Sequence, residues 1–218
     1  MSKPIFRINL EKTLNSGSPI VLELGCGTKK IPGRIGIDHL DMPQVDIVAD
    51  LEEGLPFFPD NCVDAVYSDS LLEHINNLDI LMRDVWRILK PGVKKYLFVP
   101  HFSNPYHYSD YTHKRFFGLY SFEYFSKSQS RFKRKVPNFY NDYNFTTEKI
   151  ALFFDSPWKS RKIIKRALGI LFNLSTWLQE FYEENLCFLM PCYGIKATLI
   201  PQKNHNHLNN HSVNSETD

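Results

Sequence analysis

The sequence predicts an α/β fold, a doubly wound and mostly parallel sheet, on three observations. Short β-branched, apolar runs recur and end in glycine or in acidic residues, as buried parallel strands do where they turn at their carboxyl ends. An amphipathic segment of helical period separates the fourth run from the fifth. The composition, 43% hydrophobic and 23% charged over 218 residues, is that of one compact globular unit and excludes collagenous, coiled-coil and mostly disordered chains.

The first strand is Ile20–Leu24, which runs into Gly25-Cys26-Gly27. The second, Arg34–Asp38, and the third, Val45–Ala49, end at Asp38 and Asp50. Val63–Tyr67 is the fourth, followed by Ser68-Asp69-Ser70, and Lys95–Val99 is the fifth, closed by Pro100-His101. Carboxylates and hydroxyls therefore gather at one sheet edge. Leu78, Leu81, Met82, Val85, Trp86 and Leu89 recur at helical spacing, and Lys90-Pro91-Gly92 reads as the helix exit. Only Gly27 to Arg34 joins the first two strands, too little for a full crossover helix, so a helix of about one turn is expected there.

Beyond the fifth strand, residues 102–145 are rich in Tyr, Phe, His and basic side chains with little periodicity, which suggests an inserted lobe, a lid over the sheet's carboxyl edge. Thr146–Phe154 alternates as a strand does, Trp158–Glu183 is helical in pattern, and Gly194–Pro201 looks like a closing edge strand. Residues 1–203 are thus expected to form a single domain, with a core at 18–101, the lobe at 102–145 and closing elements at 146–201. Residues 204–218 are polar enough to predict a disordered tail.

Charge and cysteine usage narrow the setting. The net charge of +2 hides a net −3 over residues 1–100 and a net +5 over residues 101–218. Cys26, Cys62, Cys187 and Cys192 show no C-x-x-C spacing, so neither a disulfide framework nor a structural zinc site is expected, and a reducing cytoplasm is the default. Met1–Leu14 lacks the apolar stretch of a signal peptide, and no run reaches the length of a membrane span.

The glycine turn is incomplete as a dinucleotide fingerprint, because Lys30 stands where the third glycine belongs, and no Gly-Lys-Ser/Thr forms a phosphate loop. The series Val21-Leu22-Glu23-Leu24-Gly25-Cys26-Gly27, Gly36-Ile37-Asp38, Ala49-Asp50-Leu51, Leu55-Pro56-Phe57, Val63-Asp64-Ala65-Val66, Leu72-Glu73-His74-Ile75 and Arg87-Ile88-Leu89-Lys90-Pro91-Gly92 resembles the class I S-adenosylmethionine-dependent methyltransferases of the type 11 kind, over about residues 18–101. That resemblance implies a Rossmann-like fold, S-adenosyl-L-methionine as cofactor and methyl transfer as the activity. It also implies roles: Asp38 on the ribose hydroxyls beside His39, Asp50 and the Leu51 backbone at the adenine, Gly25 and Gly27 at the methionine part, and Glu23 orienting that loop or the amino group. Ser68 and Asp69 would face the cofactor from the acceptor side. Cys26, between the two glycines, reads as a small buried filler rather than a nucleophile.

Methyl transfer to a hydroxyl is an in-line displacement that needs the proton removed, so a base near the end of the fifth strand is expected. His101 sits there, and His113 and Asp110 follow. Three readings of this group stay open: a base with an orienting carboxylate (His101 or His113 with Asp110), histidines that fasten the lid, and a metal site from His101, His107, Asp110 and His113. The run from Asp110 through His113-Lys114-Arg115-Phe116-Phe117 resembles bacterial methyltransferases associated with cell-surface polysaccharide genes, which implies O-methylation of a saccharide or another small polar acceptor.

Residues 127–166 carry 11 basic and 3 acidic side chains. An RNA methyltransferase using that surface is the alternative enzyme, and a non-catalytic S-adenosylmethionine-binding scaffold is the alternative of another kind. In Lys159–Leu178, Ile163, Ile164, Ala167, Leu168, Leu171 and Leu174 form one face and Lys159, Lys162 and Arg166 the other. Packing on the sheet is the commoner use of such a helix, and peripheral contact with an anionic inner membrane, beside a lipid-linked acceptor, is the other.

Overall fold

The computed structural model describes residues 3–203; the expected tail at 204–218 lies outside them. Strands β1 (Ile5–Phe6), β2 (Val21–Leu24), β3 (Ile35–Asp38), β4 (Ile47–Val48), β5 (Val63–Asp69), β6 (Leu89–Pro100), β7 (Phe145–Phe153) and β8 (Gly194–Pro201) form one sheet in the order β1-β4-β3-β2-β5-β6-β8-β7. The run from β4 to β6 is parallel, and β1, β8 and β7 are antiparallel to their neighbours. Chain direction through the sheet reverses between β2 and β5, the position where such sheets open a crevice beyond their carboxyl ends.

Helix α2 (Leu78–Ile88) buries Leu78, Leu81, Met82, Val85 and Ile88 against this sheet, each worth roughly 1.5–3 kcal/mol on full burial. Its first amides are held from outside the helix: the Glu52 carboxylate accepts Asn76 N–H and Asn77 N–H, each at 2.7 Å. Arg87, near its other end, donates to Leu55 O and Phe58 O and pairs with Asp60 and Asp84. The loop from Asp50 to Asp60 is thereby locked to both ends of one helix.

The structure departs from the sequence expectations at identifiable places. The crossover from β2 to β3 contains turns and no helix at all. Strand β6 begins at Leu89, directly at the end of α2, because Leu89 pairs with Val63 before the register shifts to Ala65 and Lys94; Lys90-Pro91-Gly92 is an irregularity inside the strand rather than a loop. Gly194–Pro201 is no edge strand, since β8 lies between β6 and β7. The 158–183 segment is two helices, α3 (Lys159–Phe172) and α4 (Thr176–Asn185), separated where Asn173 bonds both backbone groups of Leu152 and Ser175 caps α4. A short N-terminal strand, β1, and a five-residue helix, α1 (Leu10–Leu14), precede the first expected element.

Only the first part of the 102–145 lobe sits over the carboxyl edge. Its second part is core: Phe122, Phe125, Phe132 and Tyr143 are buried, and the Tyr143 hydroxyl donates to Asp79 of α2. The Glu183 carboxylate of α4 anchors the lobe by accepting Leu119 N–H at 2.7 Å.

Lys95 of β6 is fully buried and donates to Ser68 Oγ at 3.0 Å. Burial pulls its ammonium down to about 7 from an ordinary 10.5. Between these values the unfolded chain binds the extra proton and the folded chain does not, so stability rises as pH climbs from 7 towards 10, and below 7 the full cost remains. Lys95→Met is expected to raise stability by roughly 2–4 kcal/mol at pH 7 and to flatten the slope above it, read by urea unfolding across that range. A variant no more stable than wild type would show that the ammonium is fully compensated where it lies.

Candidate active site

Two clefts open along the carboxyl edge and meet at Gly25. The first, of ≈ 1010 Å³, is lined by Gly25, Asp38, His39, Asp50, Leu51, Ser70, Leu71, His74 and Thr112, among others. The second, of ≈ 880 Å³, is lined by Glu23, Gly25, Cys26, Gly27, Ser68 and Asp69 and runs along the sheet face that carries Tyr67, Tyr96 and Thr198. That face lies open because the crossover after β2 brings no helix to it. Tyr67 and Tyr96 stack at 4.7 Å, and the Arg34 guanidinium sits 3.5 Å over Tyr67.

Gly25 has φ +66°, and a Cβ there would come within 2.9 Å of Leu71 Cδ1. The turn therefore needs glycine twice over, for its backbone angle and for its space. Asp38 is buried at the end of β3. Its Oδ2 accepts Gly27 N–H at 2.9 Å and its Oδ1 accepts Leu40 N–H at 3.0 Å, and each oxygen keeps a lone pair for a ligand hydroxyl. His39 Nδ1 lies 3.3 Å from the same carboxylate. Asp50 accepts Glu52 N–H at 2.9 Å and starts the 3-10 turn Leu51–Glu53, and Leu51 forms part of the buried floor.

Glu23 faces the second cleft, where it accepts Ile31 N–H at 3.0 Å and lies 3.7 Å from Arg34. The Ile31 contact ties it to the loop between β2 and β3. Burial, followed by repulsion from Asp38, pushes the Cys26 thiol up to about 11, which suits a packing residue and no nucleophile. Ser68 is engaged by Lys95, while Asp69 is exposed and accepts from Ser70 Oγ at 2.9 Å. Ser70 itself has φ +53°, a strained conformation for a non-glycine residue, placed where β5 delivers the chain into the first cleft.

The histidines divide into two groups. His101 has no exposed surface; its Nδ1 lies 2.8 Å from Ser103 Oγ and its Nε2 3.1 Å from Glu183. With its ring wholly sealed from solvent and outside the lining of both clefts, His101 has the place of a fastener between β6 and α4, and the expectation of a base at this position finds no geometry to support it. Of the second group, His74 and Thr112 line the first cleft, and His107, Asp110 and His113 are bonded to them or to one another. His113 Nε2 lies 3.5 Å from Asp110, its Nδ1 lies 3.0 Å from both His107 Nδ1 and the His107 carbonyl, and His74 Nδ1 lies 3.0 Å from Thr112 Oγ1, which donates to Asp110. Desolvation, then the charge of His113, lowers the pKa of both His74 and His107.

Glu73 and His74 lie within the series that carries the resemblance, which implies no role for either. Glu73 is fully buried and neither carboxylate oxygen has a hydrogen-bond partner. Burial, then repulsion from Asp69 and Asp110, raises its pKa to about 7. The Glu-His pair standing directly after the fourth strand, at the edge where the other acids gather, was the signal available.

The lid segment is stapled to these residues. Lys114 N–H and Arg115 N–H donate to Glu73 O at 2.8 and 3.2 Å, Arg115 Nε donates to Ile75 O at 2.7 Å, and Arg115 also reaches Asn76 O. Asp110, Thr112 and His113 are thus held against the turn that follows β5.

Residues 35–97 match the family model described as a methyltransferase domain. No curated protein matches the chain. Among solved structures, an S-adenosylmethionine-dependent methyltransferase from Archaeoglobus fulgidus aligns at 17% identity and TM-score 0.50, over 90% of this chain and 91% of that one, which shows the shared fold. A Bacillus subtilis protein aligns at 16% identity and TM-score 0.49, over 89% and 98%. Phosphoethanolamine N-methyltransferase 2 of Haemonchus contortus, in complex with S-adenosyl-L-methionine, aligns at 16% and 0.47, over 90% of this chain and 52% of that one. This likeness covers a methyltransferase domain at residues 35–97 and the fold as a whole, and S-adenosyl-L-methionine is the cofactor expected of such a domain.

The first cleft fits that cofactor: two acidic side chains lie in one groove whose turn is bare backbone. Asp38→Asn, which sets an amide against Gly27 N–H and Leu40 N–H, is expected to weaken S-adenosylhomocysteine binding about tenfold or more. Asp50→Ala is expected to weaken it less, and calorimetry reads both. Unchanged affinity in both variants would place the cofactor elsewhere.

Proposed function

We propose that this S-adenosylmethionine-dependent methyltransferase O-methylates a saccharide or another small polar acceptor presented at an anionic membrane surface. In this reading the adenosine lies in the first cleft between Asp38 and Asp50, and the methionine part crosses Gly25 towards Gly27 and Asp69. Bound there, the cofactor supplies a methyl carbon on a positively charged sulfur. As the C–O bond forms and the C–S bond breaks, the acceptor hydroxyl must lose its proton. The observation that carries the O-methylation reading is the cluster formed by His74 and Thr112, which line the first cleft, with Asp110 and His113 joined to them, since imidazole and carboxylate groups favour loss of that proton.

The membrane part is supported by α3 and α4. Much of the apolar face of α3 is turned outward: Ile163 is 78% exposed and Ile164 65%, and Leu174, just past the helix, is 69% exposed. Leu168 and Phe172 are the side chains that α3 packs against the core. Trp158, Trp177 and Phe188 are exposed as well, Lys159, Arg161, Lys162 and Arg166 stand exposed on α3, and Phe188 meets Phe102 at the end of β6. Aromatic and aliphatic side chains beside basic ones suit the boundary between acyl chains and anionic headgroups. No helix among the described residues is long and apolar enough to cross a membrane. The RNA alternative gains less, because Arg131 and Lys135 spend their donors on backbone carbonyls.

His113→Ala is expected to lower methyl transfer about a hundredfold or more, with S-adenosylhomocysteine affinity within a factor of about three. His101→Ala should instead lower the unfolding midpoint, because Glu183 loses a buried partner. Incubating cell fractions with methyl-labelled cofactor should place label in a glycan or glycolipid fraction, and anionic vesicles should retain the protein at low salt. Label that ribonuclease releases would overturn the acceptor assignment, and failure to sediment with vesicles would remove the membrane.

A further inference from the structure

We propose that Glu73, His74 and His113 form a binding site for one divalent transition-metal cation at the wall of the first cleft. One ligand atom from each of the three lies within 4.8 Å of the others. Ligand atoms bound to an ion at about 2.0–2.2 Å stand about 3–4 Å apart, so a contraction of about 1–2 Å at most closes the set.

The second observation is independent of that spacing. Both Glu73 oxygens are sealed from solvent with no hydrogen-bond partner, and a buried carboxylate left in this way is costly unless it takes up a proton or a cation meets it. The turn that carries it is not free to turn the side chain outward: the Glu73 carbonyl is held by the Lys114 and Arg115 amides, and Leu71, Leu72 and Ile75 around it are core. Asp69 and Asp110 bring further negative charge close enough to act on Glu73. The Lys114 ammonium, which also lines the cleft, lies 3.9 Å from Glu52.

Two imidazoles with one carboxylate are a donor set for Mn²⁺, Fe²⁺, Co²⁺ or Zn²⁺ rather than for Ca²⁺. This set differs from the metal alternative read from sequence, because His101 is committed to Glu183 and Glu73 takes its place. At the cleft wall the cation would bind an oxygen of the acceptor and ease release of its proton to solvent. That consequence rests on the O-methylation reading; the site itself does not.

The test uses the full chain, without acceptor. Mn²⁺ is the probe, since it is the weakest of these ions at isolated histidines, and loss of the free-ion electron paramagnetic resonance signal reads its binding. One equivalent is expected. Glu73→Gln and His113→Ala should each weaken it tenfold or more while S-adenosylhomocysteine still binds, and alanine at His205, His207 and His211 should leave it intact. Should Glu73→Gln fail to fold, His113→Ala decides alone. Absence of binding, binding unaltered by the cluster substitutions, or binding lost with the three C-terminal histidines would each overturn the site. Methyl transfer that stays undetected while Mn²⁺ binds as expected would count against the acceptor reading only.

Discussion

The buried carboxylate of Asp38 holds the cofactor end of the molecule together. A class I crossover ordinarily fixes the glycine turn with a helix behind it, and here residues 27–34 offer only turns. Asp38 takes over by accepting Gly27 N–H from one strand's exit and Leu40 N–H from its own. Glu23 holds Ile31 N–H, and Gln44 donates to Gly27 O at 2.9 Å. The loop is therefore fixed by side chains that reach its backbone from β3 and from the turn before β4, so Asp38 is a structural clamp whatever it binds. If the proposed ribose contact holds, cofactor affinity and local stability are tied at this residue.

What the sequence made legible was what short-range pattern encodes. Alternating and continuous apolar runs located the parallel strands, and the 3.6 period from Leu78 to Ile88 located the crossover helix, because both patterns follow from burial against one face. Pairing over long distances left no such trace. β8 reads as an edge strand alone and becomes internal only because β7, some fifty residues earlier in the chain, adds outside it. Asn173 breaks the 158–183 helix through bonds to Leu152, a partner no periodicity points to.

The site divides in the same way. Asp38, Asp50 and the glycines were legible because the chemistry of the ligand and the ends of the strands agree on them. His101 was misjudged because a histidine at a strand's carboxyl end looks catalytic, while its partner Glu183 lies 82 positions away. Glu73 and His74 were passed over for the opposite reason. Their neighbours Leu71, Leu72 and Ile75 are apolar, so the segment looks like a core turn, and that turn is what seals the carboxylate from water.

These features bear on one another through the lid. The segment from Asp110 to Arg115 is bonded to the turn after β5, and that turn is bonded through Glu52 to the loop that carries Asp50. The Asp50 loop, the imidazole cluster and the start of α2 thus share one hydrogen-bonded frame. A change in the position of Glu73 would reach Asp50 through two carboxylate-to-amide contacts and no flexible linker. Because native interiors switch between packed arrangements more readily than they deform continuously, charge neutralised at Glu73 and adenosine seated against Asp50 should each favour the same closed frame. The coupling would be reciprocal, as any equilibrium linkage between two bound groups must be.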